Sequence, residues 1–229
     1  LPPQAEAGPG RRAAMTAFCV LMLVVVPPIS LLPIFPAFWL FDQIDDWISS
    51  WSEISYLWYL PLLTWPTAIG LISFTVFLMA GLRWAILPRV TSGSYSIHSG
   101  FYARKWTVSL ATEVTLETLS SLFATIYMRA WYRLMGARIG SGAEISTNLS
   151  GRFDLTAIGA GNFIADEVGF GDEDMRRGYM RLDMTRTGEQ VFVGNDAVVP
   201  PGAVIPDRVL IGIKSKPPAN DRMQPGDTW

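Results

Sequence analysis

The residue types that most often carry group-transfer chemistry are scarce here, with one histidine, His98, and one cysteine, Cys19. A lone cysteine closes no internal disulfide, and together they are too few for a zinc site. No metal centre is expected. Proton transfer then falls to carboxylates, and these gather in the second half: Glu144, Asp154, Asp166 with Glu167, and the run Asp172, Glu173, Asp174 beside Arg176 and Arg177. A hydroxyl nucleophile needs a well-matched base such as histidine, but His98 lies far upstream in a polar stretch, 92–101. An amine with a pKa near neutral needs less help, so a carboxylate can serve it. The glycine pairs Gly140-Ser141-Gly142 and Gly159-Ala160-Gly161 are not phosphate loops, because neither the lysine nor the helix of such a loop follows.

Most of these carboxylates sit in a segment with a period of six. Aliphatic residues recur at Ile139 and Ile145, at Ile158 and Ile164, and at Val193, Val199, Ile205 and Ile211. Glycine follows at Gly140, Gly159, Gly194 and Gly212, and a small residue stands four places on at Ala143, Ala197, Ala203 and Ser215. Six is neither a helical nor a plain strand period. It is the hexapeptide period of a parallel β-helix, in which each hexapeptide supplies a strand and a corner and three make a coil. The expected fold of 137–216 is therefore a short left-handed prism of two to three coils. Steps of thirteen and twenty-nine residues interrupt the period, predicting excursions at 146–157 and 170–186, where such folds often build a site. Residues 217–229 read as a tail that stops without a cap.

The remainder is apolar. Of 229 residues 50% are hydrophobic and only 17% charged, and no Lys or Arg occurs from 13 to 82. The stretches 13–41 and 56–82 each exceed the roughly 20 residues that a helix needs to cross a bilayer, so 13–82 reads as a two-span α-helical hairpin. Arg11 and Arg12 precede it, and Arg83, Arg89, Arg104 and Lys105 follow it. By the positive-inside bias both ends are cytoplasmic, with Asp42, Asp45, Asp46 and Glu53 in an outer loop. The chain is thus expected to be a multi-pass membrane protein with its β-helix on the cytoplasmic side. Pro27, Pro28, Pro33 and Pro36 should bend or interrupt the first span. Trp39, Trp47, Trp51, Trp58 and Tyr59 suit the outer headgroup level. Residues 1–12 read as a linker, and 83–136 as a linker plus one amphipathic helix, 107–135, ended by Gly136. Its Arg129, Trp131, Tyr132 and Arg133 suit a headgroup anchor. A net charge of -2 leaves no basic excess for nucleic acid.

The order of motifs behind this hairpin is informative. Arg133-Leu134-Met135-Gly136-Ala137-Arg138-Ile139-Gly140, Ala143-Glu144-Ile145-Ser146-Thr147, Phe163-Ile164-Ala165-Asp166 and Phe192-Val193-Gly194-Asn195 follow a hairpin and a linker helix. The arrangement resembles the C-terminal membrane region of nonribosomal peptide synthetases of the ε-poly-lysine synthetase type. The resemblance implies upstream adenylation and carrier domains, tandem copies of this module, contact with membrane lipid, no tightly bound cofactor, and a phosphopantetheine arm as acyl donor. It implies amide formation between a carrier-bound aminoacyl thioester and a free amino acid or growing chain. On the matching positions it points to Glu144, Asp166 and Asp154 as candidate catalytic residues, with Glu144 or Asp166 orienting or deprotonating the amine. Thr185, Arg186 and Asn195 become candidate substrate-binding residues, with Arg186 or Asn195 contacting the thioester or carboxylate end. Two readings stay open beside it: a coenzyme A-dependent hexapeptide acyltransferase, against which the missing prism histidine counts, and a non-catalytic membrane scaffold or export module.

Overall fold

The fold is that of a computed structural model, and it describes residues 7–50, 56–119, 126–149, 151–218 and 220–229. Helix α1 spans Pro9–Ser30, α2 Ile34–Ser49 and α3 Tyr56–Ile86. The stretches Pro9–Ser49 and Leu60–Ile86 are both long and apolar enough to cross a membrane, their most apolar 18-residue windows having mean hydropathies of 2.5 and 1.8. Only 11% and 22% of their most apolar windows are buried, so most of this surface faces outward rather than into a core.

The four prolines of the first span have unequal effects. Pro27 and Pro28 stay inside α1, and Pro36 sits in the first turn of α2, where an N–H would have no helical partner. The single break falls at 31–33, where Pro33 can neither donate to the turn before it nor continue the α-helix without a clash. There the N–H groups of Leu31, Leu32, Ile34 and Phe35 each donate to the carbonyl three residues back. Helix α2 then folds onto α3, with Leu40 close enough to Gly70 that a β-carbon there would stand 2.9 Å from the leucine Cδ2. Asp42, Asp45 and Asp46 lie on α2 rather than in a loop. Trp39, Trp47 and Trp58 are exposed, whereas Trp51, Glu53 and the side chain of Tyr59 lie outside what is described.

The expected helix 107–135 is two helices. Helix α4, Gly100–Thr118, begins earlier because Ser99 caps it, its hydroxyl accepting from the Tyr102 N–H at 3.1 Å. Helix α5, Ile126–Leu134, ends at Gly136 with φ 110°, a left-handed conformation that suits glycine. Helix α4 packs along α1 and α3, while α5 lies under the first coil of the prism, where the buried Tyr132 hydroxyl donates to the Thr147 carbonyl. Burial pushes the Tyr132 phenol far above its ordinary pKa and keeps it a donor. Trp131 is buried as well, so the two aromatics of this cluster pack against protein, while Arg129 is half-buried and Arg133 exposed.

From Arg138 onward the chain coils in parallel strands. The first face stacks β2 (Arg138–Ile139), β4 (Thr156–Ile158), β9 (Thr185–Thr187) and β12 (Val204–Ile205). The second stacks β3 (Glu144–Ile145), β5 (Phe163–Ile164), β10 (Phe192–Val193) and β13 (Leu210–Ile211). The third holds β6 (Gly169–Phe170) and β11 (Val198–Val199). Ile139, Ile158 and Ile205 point inward from the first face, and Ile145, Ile164, Val193 and Ile211 from the second, all buried. Both faces thus reach four strands, more than the two to three coils expected. The tail contributes too: Thr228 bridges Leu210 in parallel, and the Trp229 N–H donates to Leu210.

Both excursions are shorter than their gaps in period. The Thr147 hydroxyl donates to the Val168 carbonyl, so 147–149 still follows the prism and only the segment around the short helical turn Phe153–Leu155 departs. The second departs after β6 as a hairpin of β7 (Asp174–Arg176) and β8 (Tyr179–Leu182). Strand β8 also pairs antiparallel with β1 (Gly93–Ser96) from the linker before α4. That pairing ties the prism to the helical region.

Candidate functional site

Two buried ion clusters fix the prism on the helices. The Glu173 carboxylate, in the turn leading into β7, accepts from Lys105 Nζ at 2.9 Å and Arg152 Nη1 at 2.8 Å, while Arg152 Nη2 reaches Asp172. The two cations are almost fully buried, at 3% and 6% side-chain exposure. Burial alone would raise the Glu173 carboxyl, but Lys105 and Arg152 outweigh it and hold it below the ordinary glutamate value. Burial lowers Lys105, opposed by Glu173. A carboxylate held charged by two cations is a poor proton acceptor, so this cluster positions elements rather than moving protons. Asp154 forms the second cluster: it pairs with the buried Arg83 at the end of α3 and accepts from the Val90 N–H at 2.9 Å.

The structure does not gather the candidate residues into one cleft. Asp154 is engaged between α3 and the prism. Thr185 is buried at the start of β9, its hydroxyl accepting from the Gly202 N–H in the turn before β12 at 3.3 Å. Glu144 points outward from the second face beside Phe163, its register partner on β5. Its carboxylate makes no hydrogen bond or ion pair among the described residues. Along the same face Phe163 and Phe192 stack with centroids 5.5 Å apart, and Leu210 continues the exposed apolar ledge. Asp166 and Asn195 each lie two residues past the paired Ile164 and Val193, and so share the next corner. Both are exposed. Arg186 projects from the first face, in register with Ala157, which pairs in turn with Arg138. An open pocket of about 410 Å³ lies on that face, lined by Arg133, Arg138, Ala157, Gly140, Gly159 and Thr187.

His98 stands in the turn before α4. Its carbonyl accepts from Arg11 and its N–H donates to Ser96, while its Nδ1 is buried without a partner among the described residues. Arg152 was the main omission of sequence reasoning, since nothing about its spacing marks it. Lys105 was legible only as part of the basic flank with Arg104, ahead of the expected helix.

The chain is 37% identical, over 222 residues, to part of the delta-poly-L-ornithine synthetase of Acinetobacter baumannii (strain AB307-0294). It is a relative of the poly-amino-acid synthetases of the ε-poly-lysine synthetase type. The match covers 96% of this chain but 17% of the synthetase, so the chain spans one segment of that much longer protein. No protein-family model matches. Among solved structures, the serine acetyltransferase of Neisseria gonorrhoeae is 15% identical, with a TM-score of 0.33 over 71% of this chain and 69% of the other. The serine acetyltransferase 1 of Entamoeba histolytica is 14% identical, with a TM-score of 0.30 over 82% and 73%. The architecture described above rests on strand register, independently of either.

Proposed function

We propose that this chain is a membrane-embedded, amide-forming module of a poly-amino-acid synthetase. It joins a carrier-bound aminoacyl thioester to a free amino acid or growing chain. The observation that carries this reading is the 37% identity over nearly the whole chain to one segment of a poly-ornithine synthetase. In this reading the prism coils left-handed and sits on the cytoplasmic side of a multi-pass bundle in contact with lipid. Upstream adenylation and carrier domains and tandem copies of the module complete the enzyme.

The chemistry needs an amine nitrogen to attack the thioester carbonyl, forming a C–N bond and breaking the C–S bond. The amine gives up one proton, and the departing thiolate gains one. Glu144 suits this exchange, since its carboxylate is exposed, unpaired and beside an aromatic ledge on which an acyl chain can rest. It takes the proton from the amine and returns it to the sulfur. Asp166 and Asn195, sharing one corner, hold the polar end of the acceptor. Asp154 and Thr185 act indirectly, through the placement of the coils. The phosphopantetheine arm of a carrier supplies the activated acyl group.

The test uses the chain in detergent with an aminoacyl-pantetheine thioester and free amino acid in one tube, and acetyl-coenzyme A with the same amine in another. An amide-linked dipeptide from the first tube, seen by mass spectrometry, is expected. An N-acetyl product from the second alone would make the chain a coenzyme A acyltransferase, and no product from either would point to a scaffold.

A further inference from the structure

We infer that the outer side of the first face binds a phosphodiester, and that its occupant is the phosphate of the donor's phosphopantetheine arm. The inference rests on the proposed function and locates the donor on the prism.

Arg133 and Arg138 line the open pocket, and Arg186 leaves the same face beside it. Arg138 and Arg186 flank Ala157 in one register across β2, β4 and β9, so their side chains leave the same face two strands apart. Adjacent strands lie about 4.8 Å apart, which sets the two attachment points roughly 10 Å from each other. Ala157 keeps the space between them open, because a single methyl group fills little of it. Neither guanidinium has a hydrogen-bond or ion-pair partner among the described residues, and both are exposed. Arg133 enters from α5 at the edge of the pocket. Its Nε and Nη2 are taken by the Ile139 carbonyl, which fixes the side chain and leaves Nη1 to donate.

The outward residues of this face along the four strands are Arg138, Ala157, Arg186 and Val204, with no carboxylate among them. The corner acids Glu189 and Asp207 stand beyond β9 and β12, and Asp207 is occupied by the Glu189 N–H at 2.8 Å. In a chain whose net charge is -2, a face with three cations and no anion is a local excess that selects an anionic ligand. Guanidinium forks match phosphate oxygens in geometry, and a phosphodiester bears one charge with two free oxygens. The open pocket of about 410 Å³ leaves Arg133 and Arg138 accessible to such a phosphate.

The test compares binding of the 4′-methylphosphate diester of aminoacyl-pantetheine with that of aminoacyl-pantetheine, which lacks the phosphodiester, to the detergent-solubilised chain by calorimetry. The wild type is expected to bind the phosphorylated form about tenfold more tightly, a preference that shrinks as salt is raised. R138E and R186E should each abolish it, R138Q should halve it or more, and all three should keep the wild-type melting temperature because both arginines are exposed. Equal affinity for the two forms in the wild type, or an undiminished preference in the variants, would overturn the inference. So would a second outcome in which the variants bind both forms normally but lose association with phosphatidylglycerol vesicles and not with phosphatidylcholine ones; the face would then hold a lipid headgroup. Amide formation from aminoacyl-pantetheine, which lacks the phosphate, reports separately on the proposed function.

Discussion

Replacing Glu173 by glutamine tests the claim that the prism is locked to α4 by buried charge. The carboxylate accepts from Lys105 and from Arg152, both nearly buried, and Glu173 is itself 23% exposed on its side chain. A hydrogen bond to a charged group contributes about 1.5–3 kcal/mol, and breaking a buried pair costs about 3–5 kcal/mol because a charge is left unpaired. The glutamine oxygen can still accept from one cation, and Arg152 keeps Asp172, so a loss of about 3 kcal/mol is expected at pH 7. For a chain of this size that is a fall of roughly 6–12 °C in melting temperature. The pH dependence follows from the lowered carboxyl of Glu173. A carboxylate whose folded pKa is depressed stabilises the fold above its unfolded value, near 4.3, and that contribution disappears as pH falls through the folded value. The gap between wild type and Glu173→Gln should therefore be full at pH 6 to 7 and close below about pH 4. Differential scanning fluorimetry in detergent across that range measures it. A gap under about 1 kcal/mol at pH 7 would refute the lock, since exposed pairs have that value. A gap unchanged at low pH would refute its electrostatic origin.

Other substitutions address the same frame. Asp154→Ala removes the counter-charge of the Arg83 guanidinium, 1% exposed, which keeps only the Pro88 carbonyl at 2.9 Å as acceptor, and also removes the acceptor of the Val90 N–H; it should cost about 3 kcal/mol by thermal melting. Thr187→Val removes the hydroxyl that accepts from Asn162 Nδ2 and from the Gly159 N–H at 3.1 Å, and should cost about 2–3 kcal/mol with little change in the strand signal by circular dichroism. Gly159→Ala is harsher, because its β-carbon would stand 2.0 Å from the Gly188 carbonyl oxygen. The strands must part, with a loss above about 2 kcal/mol and faster proteolysis of the prism.

The prism was legible because its core is periodic: every aliphatic position read at a spacing of six is buried. Its coil count was underread where the inward residue is not aliphatic. Thr187 occupies the place of an isoleucine between Ile158 and Ile205, its hydroxyl satisfied by Asn162, so the third strand of the first face carried no hydrophobic signal. The tail was underread for a similar reason, since Thr228 and Trp229 join by backbone pairing alone. The two apolar helical stretches were evident from seventy residues without a basic side chain. The site was harder. Carboxylates could be enumerated, but which of them is free depends on partners distant in sequence, such as Lys105 for Glu173 and Arg83 for Asp154. No local pattern encodes such pairs. Glu144 and Asp166 stand out only after Asp154, Asp172 and Glu173 are seen to be engaged.

Glu144 is accordingly where the account is most exposed to test. The decisive measurement is the single-turnover rate of amide formation from aminoacyl-pantetheine and free amino acid by Glu144→Gln, beside the wild type and beside Asp166→Asn. General-base assistance is worth about 10²–10⁴-fold, so the account predicts a loss of at least about a hundredfold in Glu144→Gln with thioester affinity retained. A Glu144→Gln chain that forms the amide at the wild-type rate would contradict it.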